Sequence, residues 1–433
     1  MGFIANMLFE FVKLPVESIG HEGSNALPAP LIIPRSEHSI SRKQIDKEAL
    51  KVLYRLHQRG FIAYLVGGSV RDLLLGRKPK DFDIGTNARP DQIRKIFRNS
   101  RIIGRRFRLV QVFFGNDKIV EVSTFRSYHG EENNDQVLEA DNDFGTPGED
   151  AWRRDLTINA LFYNIADFSI VDYVGGMTDL RDHLIRSVGD ADVRFHQDPV
   201  RILRALRHAA RAGFTITPET WAVVVRRRAE IKVCPESRIR DELMRDLSGG
   251  ASRAWLELAI KSGVLFVLFP ALQEAYGDQD SPWLQRAALL MARQDALQGA
   301  DFLSLAALCW PALEKSLADI TAREPQMSRG VWMAFVRDEI SRLFAPFNLA
   351  RRLVDHLCRA ATPLYYMYGL YPKLPVRLHN KTYYKEACQL AEFLGFDLQG
   401  LVGQAPVDRR YRQRRRKPVS RLTMPAEVGG TTA

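Results

Sequence analysis

AYLVGGSVRDLLLGRKPKDFDIGT, residues 63–86, contains most of the chemistry that can be read from this chain. It reads as an apolar strand over Ala63–Val66, a tight turn at Gly67, Gly68 and Ser69, and a short apolar segment opened by Arg71 and Asp72. A basic loop follows, and then a second strand carrying Asp81 and Asp83. Side chains two apart on a strand share a face, so the two carboxylates are expected side by side. Carboxylates that close repel each other unless a cation sits between them. A divalent metal is the expected answer, with Mg²⁺ suited to hard oxygen ligands. Glycines let the backbone approach a ligand, and turn N–H groups can cradle phosphate oxygens. A glycine turn or an Asp pair alone is commonplace. The turn coupled to the pair twelve residues on is the minimum set for metal-assisted nucleotidyl transfer.

Upstream, residues 1–40 are punctuated by Pro15, Pro28, Pro30 and Pro34 and read as an arm, partly disordered. Ser41 and Gln44 have capping-box spacing and are expected to open an amphipathic helix with Ile45, Ala49, Val52, Leu53 and Leu56 on one face. Downstream, residues 107–114 and 118–124 read as strands joined by a turn at Gly115, Asn116 and Asp117. Glu121 lies between Val120 and Val122 in the second, where an acid is costly to bury alone, so Asp81, Asp83 and Glu121 could face one another. Residues 127–148 are polar and read as a mobile loop. Residues 153–159 (RRDLTIN) open another helix or strand, and residues 172–188 are expected to complete the sheet.

Beyond Asp190 the pattern turns helical. Asp198 is placed as a cap, Pro199 in the first turn, and Arg201, Arg204 and Arg207 along one face. Breaks are expected at Pro270, Pro311, Pro346, Pro363 and Pro372. The formal net charge over 433 residues is +11, which points to a polyanionic partner. Residues 401–433 hold eight Lys/Arg and two acids, hence +6, leaving +11 − 6 = +5 for the rest. This end reads as a disordered basic tail able to neutralise nucleic-acid phosphates. Cys234, Cys309, Cys358 and Cys388 are scattered, which argues against a zinc site or disulfide framework and for a reducing compartment. The apolar start has no basic n-region and is interrupted by Glu10 and Lys13, so neither a signal peptide nor an integral membrane segment is expected.

Taken in order, these motifs resemble class II of the polymerase β-type nucleotidyltransferases, the family of tRNA CCA-adding enzymes and bacterial poly(A) polymerases. The match spans about residues 34–250: GG-x-VRD at 67–72 with Asp81 and Asp83, RRD-x-T-I-N at 153–159, D-x-x-GG at 172–176, a D-x-x-R helix at 197–205, and a basic helical segment at 236–242. The resemblance implies an α+β fold: a small mixed β-sheet nucleotidyltransferase head over 41–189, then an all-helical neck over 190–265 and body over 266–402, with the disordered tail over 403–433. It implies that Asp81 and Asp83 hold two Mg²⁺ or Mn²⁺ ions, with Glu121 or Asp155 as a third catalytic carboxylate. Gly67, Gly68, Ser69, Arg71, Asp72, Arg154, Asp155 and Asn159 would serve the triphosphate and ribose. Asp198 and Arg201 would select the base, with Arg204 and Arg207 on the same helix. Gln197 departs from the Glu usual in the family.

A G-R-R-F element at 104–107, the entry segment at 33–42 and the Arg-rich tail resemble the poly(A) polymerases more than the CCA-adding enzymes. RNA phosphates would then meet Arg105 and Arg106, and in the tail Arg409, Arg410, Arg412, Arg414, Arg415, Arg416 and Lys417. The implied activity is template-independent addition of AMP from ATP to RNA 3′ ends in a bacterial cytoplasm, promoting RNA turnover, with RNA-decay machinery as the implied partner.

Overall fold

A computed structural model describes residues 27–104, 108–115, 117–128, 143–322, 327–345, 351–368 and 383–396. Arg105, Arg106, most of the polar segment after Ser127, Pro346, Pro372 and the whole basic tail lie outside the described residues. The chain divides into two compact units, the first ending at Thr178 and the second running from Asp179.

The first unit holds an eight-stranded sheet: β1 (Leu31–Ile33), β2 (Ala63–Val66), β3 (Asp83–Thr86), β4 (Ser100–Ile103), β5 (Leu109–Phe113), β6 (Ile119–Thr124), β7 (Leu161–Asn164) and β8 (Ile170–Asp172). Their order across the sheet is β1-β8-β7-β2-β3-β6-β5-β4. Among these pairs only β3 and β6 run parallel. Its helices are α1 (Lys47–Gln58), α2 (Gly68–Leu74), α3 (Pro90–Ile96), α4 (Pro147–Trp152) and α5 (Gly176–Arg181), the last crossing into the second unit.

Leu65, Ile84, Val122 and Val110 form one buried cross-strand row. Over that face α1 lays Ala49, Val52, Leu53 and Leu56, all fully buried. Burying a side chain of the Val or Leu type contributes roughly 1.5–3 kcal/mol, so this stripe fixes which face of the sheet is inside. Because strand side chains alternate, the neighbouring row of Val66, Asp83, Glu121 and Gln111 is directed to the opposite face. The burial of α1 thereby sets the orientation of the acids.

Several local expectations change. Ser41 and Gln44 do form a capping box, but around a 3₁₀ turn; α1 starts at Lys47 with Asp46 accepting from the N–H groups of Glu48 and Ala49. Part of the segment read as an irregular arm is β1, three residues between Pro30 and Pro34 at the sheet edge, where prolines are tolerated. Residues beyond Thr178 do not complete the sheet. Instead β9 (Leu184–Ile185) pairs in parallel with β10 (Thr215–Ile216) within the second unit, the Phe214 ring packing on His183 at 4.8 Å.

The second unit continues with α6 (Ala191–Gln197), α7 (Val200–Ala212), α8 (Pro218–Arg227) and α9 (Glu236–Leu247), and with further helices whose last described member ends at Leu394. Pro311 does not break the chain: it lies inside the helix Asp301–Thr321. A mid-helix proline costs about 3 kcal/mol. The unbroken buried run from Phe302 to Leu313 outweighs it.

Candidate active site

The turn after β2 is built for close approach, but it is Gly67 alone: Gly68 and Ser69, expected within it, already open α2. Gly67 has φ +71°, a region that favours glycine, and a Cβ there would stand 3.0 Å from Arg154 Nη1. The Ser69 hydroxyl is buried and donates to the Val66 carbonyl at 2.9 Å, which ties the turn to the strand it leaves. Arg71 donates from Nε and Nη2 to Asp72 Oδ1 at 2.9 and 2.8 Å, and from Nη1 to Asn159 Oδ1 at 2.6 Å. Asp72 therefore orients Arg71 from one side and Asn159 from the other.

The acids sit next to this turn, since Val66 pairs with Asp83 across β2 and β3. Asp83 opens β3, but Asp81, expected on the same strand, lies in the segment leading into it, so strand alternation does not set the two carboxylates on one face. Ile84 pairs with Val122 on parallel β6, which brings Asp83 and Glu121, one residue earlier on each strand, together. The Asp83 carboxylate is exposed, but the protein around it desolvates it. That effect, the negative charge of Glu121 and a smaller contribution from Asp81 raise its pKa to about 6, with Arg154 acting against them. Glu121 Oε1 accepts from Gln111 Nε2 at 2.9 Å, directly opposite on β5.

Among the described residues no three His, Cys, Asp or Glu side chains converge closely enough to hold a metal; the carboxylates that could meet a cation here are those of Asp81 and Asp83. The two still fit a divalent cation: the donors are hard oxygens, and desolvation together with the charge of Glu121, more than that of Asp81, raises the Asp83 carboxyl toward its neutral form. A cavity of about 250 Å³ opens beside Asp81, lined by Lys80, Phe82, Lys118 and Ile119 among others.

Asp155 occupies a different setting. It is buried, and its Oδ1 accepts from Leu156 N at 2.9 Å and from Asn159 Nδ2 at 3.3 Å. Residues 153–159 form neither a helix nor a strand throughout: α4 ends at Trp152, and a 3₁₀ turn covers Thr157–Asn159 before β7. Arg154 donates from Nη2 to Asp150 Oδ2 at 3.0 Å and from Nη1 to the Asn159 carbonyl at 3.1 Å. Asn159 thus connects Arg71, Arg154 and Asp155.

In the second unit Asp198 stands between α6 and α7. Its carbonyl accepts from Arg201 N at 3.0 Å, but its carboxylate caps neither helix. Oδ2 accepts from Arg238 Nη2 at 3.0 Å, and Oδ1 has no hydrogen-bond partner among the described residues. Gln197 Oε1 accepts from Arg194 Nη1 at 3.5 Å. Arg207 turns inward: it is buried between Glu242 and Asp246 of α9, and Arg204 stands 3.8 Å from Glu242. Burial raises the Asp246 carboxyl well above the carboxylate range, Arg207 working against it.

Three partners are absent from the reading of the sequence: Gln111, Asp150 and Arg238. Counting back from the Gly115 turn would have placed Gln111 opposite Glu121. Asp150 precedes Arg154 at helical i,i+4 spacing. Arg238 lies in the basic segment 236–242, but its pairing with Asp198, forty residues away, gave no signal.

Residues 63–186 match the family described as "Poly A polymerase head domain", and residues 213–276 that described as "Probable RNA and SrmB- binding site of polymerase A". Poly(A) polymerase I of Escherichia coli O6:H1 is 46% identical over 271 residues, 60% of this chain and 58% of that protein. The chain therefore spans less than two thirds of that relative's length. Poly(A) polymerase I of Haemophilus influenzae is 35% identical over 328 residues, 72% of each chain. Among solved structures, apo form II of a CCA-adding enzyme has the same fold, with a TM-score of 0.57 at 19% identity over 86% of this chain and 88% of that one.

Proposed function

The chain belongs to the family that poly(A) polymerases and CCA-adding enzymes share, and from that membership we propose that it transfers AMP from ATP to RNA 3′ ends without a template. The observation that carries the proposal is Asp83 beside Glu121 on parallel strands, with Asp81 near and the Gly67 turn next to them. The RNA 3′-hydroxyl oxygen would form a bond to the α-phosphorus of ATP as the bond to the pyrophosphate oxygen breaks, the hydroxyl proton passing to a carboxylate of the site. Asp81 and Asp83 would hold the divalent cations, which activate the hydroxyl and neutralise the triphosphate. Arg71 and Arg154 flank the Gly67 turn and would take the phosphate oxygens.

Glu121 suits the third carboxylate better than Asp155. Its charge is felt by Asp83, whereas Asp155 is buried and engaged with Leu156 and Asn159.

Base choice would rest on the second unit. An Asp198 acceptor and an Arg201 donor match the amino donor and ring-nitrogen acceptor on the Watson–Crick edge of adenine. Cytosine offers the same donor–acceptor pair, so hydrogen-bond polarity alone does not separate ATP from CTP; ring size must. The resemblance of residues 33–42, 104–107 and the tail to poly(A) polymerases supports ATP. Incubation of the protein with an oligoadenylate primer or a tRNA lacking CCA, and with ATP or CTP separately, tests this. Long extension of the primer from ATP alone is expected. CTP addition to the tRNA that stops after a few nucleotides would overturn the assignment in favour of CCA addition.

A further inference from the structure

Arg154 is enclosed before any ligand arrives. Asp150 Oδ2 accepts from Nη2 at 3.0 Å, the Asn159 carbonyl accepts from Nη1 at 3.1 Å, and the Phe162 ring centre lies 5.1 Å from the guanidinium carbon. The remaining room exists because Gly67 has no Cβ, which would come within 3.0 Å of Nη1. Side-chain exposures of 21% for Arg154 and 17% for Asp150 place the pair away from the fully solvated case, in which ion pairs contribute little.

Both holding groups are themselves fixed. Asp150 Oδ1 accepts from Arg126 N at 3.3 Å. Phe162 is fully buried, its ring packed on Tyr64, Phe125 and Tyr173 at centre distances of 5.8, 6.2 and 6.0 Å. Phe162 also pairs across the sheet with Val66, the residue that leads into Gly67.

We propose that Asp150 and Phe162 are positioning residues for ATP, setting the plane and position of the Arg154 guanidinium beside the Gly67 turn. A carboxylate fixes a guanidinium through a charge-assisted hydrogen bond, and an aromatic face attracts its flat surface. A long side chain ordered in advance loses little freedom when the phosphate arrives, which tightens binding without a new contact to the ligand. This rests on the reading that Arg154 serves the nucleotide.

The test is ATP binding by the full chain, measured by titration calorimetry in Mg²⁺ buffer. Asp150→Asn and Phe162→Leu are compared with wild type, and each is also placed in an Arg154→Ala background. ATP binding is expected to weaken about tenfold for Asp150→Asn and about threefold for Phe162→Leu. Neither should add a further loss once Arg154 is gone, because both act through that one group. Oligoadenylate affinity should stay within about twofold of wild type, since RNA does not use the bracket. Asp150→Glu, which keeps the charge, should recover part of the loss.

An equal loss in both backgrounds, or no loss in either, overturns the proposal. If Asp150→Asn unfolds α4, seen as a sharp fall in Tm, the Phe162→Leu cycle decides alone. Wild-type protein that binds ATP but extends no RNA overturns the polymerase reading and leaves this cycle readable. Wild-type protein that binds no ATP overturns both.

Discussion

A carboxylate that is desolvated and set beside other carboxylates disfavours its own ionised form, and β3 holds Asp83 in that position, with Glu121 near and Asp81 contributing less. Its pKa in the folded protein is about 6 against an ordinary value of 3.8. The folded state therefore binds this proton more tightly than the unfolded chain does. The stability linked to that proton is complete below 3.8 and is lost as pH rises through about 6. Asp83→Asn removes the penalty. In chelator-treated protein the variant is expected to melt above wild type at about pH 7.5 and to show no such gain at about pH 4, outside the titration window. Mg²⁺ should raise the wild-type Tm and leave that of the variant unchanged, and AMP incorporation by the variant should be abolished. A thermal-shift series with and without Mg²⁺ checks the sign; a variant less stable than wild type at the higher pH would contradict the electrostatic account. Only part of this was legible in the chain. The acids were visible as a pair, but their local spacing says nothing about Glu121's distance from them.

At the scale of elements, α1 orients the sheet, and Asp46 holds its first turn. Asp46 accepts from Glu48 N and Ala49 N at 3.0 and 3.2 Å, and its second oxygen pairs with Lys118 at 3.0 Å, which ties the turn of the β5–β6 hairpin to the helix. Desolvation works against its charge, yet Lys118 and the two N–H groups hold its carboxyl below the usual value. With a depressed pKa, the contribution is present above the unfolded value of 3.8 and is lost as pH falls through the folded value. Asp46→Ala is expected to cost about 1–2 kcal/mol in urea unfolding at neutral pH. Asp46→Asn, which keeps an acceptor for the N–H groups, should cost less; equal costs would mean that the cap contributes nothing. The sequence placed this start at Ser41 because Ser41 and Gln44 have the right spacing, and that box did form, around a shorter turn. The hairpin was legible from its alternation and turn. Pro311 misled because a local rule was applied where burial of the whole helix Asp301–Thr321 prevails.

At the scale of the whole molecule, more than half of the net charge of +11 lies in residues 401–433. Phosphate neutralisation by those cations depends on salt, with a slope of roughly 0.7 per cation for single strands. Deleting residues 403–433 should lower the slope of log affinity against log salt by up to about 5. Turnover at saturating primer should persist, since the acids and the Gly67 turn remain. Fluorescence anisotropy of a labelled oligoadenylate from about 50 to about 200 mM KCl measures the slope. An unchanged slope would assign RNA binding to the rest of the chain, whose net charge is +5.

The sequence by itself determined what is local: the strand, the glycine turn and the acid pair of residues 63–86, the β5–β6 hairpin, and the order of motifs that marks the family. Period, turn chemistry and spacing are written within a dozen residues, so they survive without knowledge of the fold. The tertiary structure decided what depends on which segment lies beside which. It set Glu121 against Asp83 through the parallel β3–β6 pairing, turned Arg207 inward to α9, gave Asp198 the partner Arg238, and enclosed Arg154 between Asp150 and Phe162. The physical reason is that a side-chain pattern states which face is buried, but not which distant strand or helix will cover it.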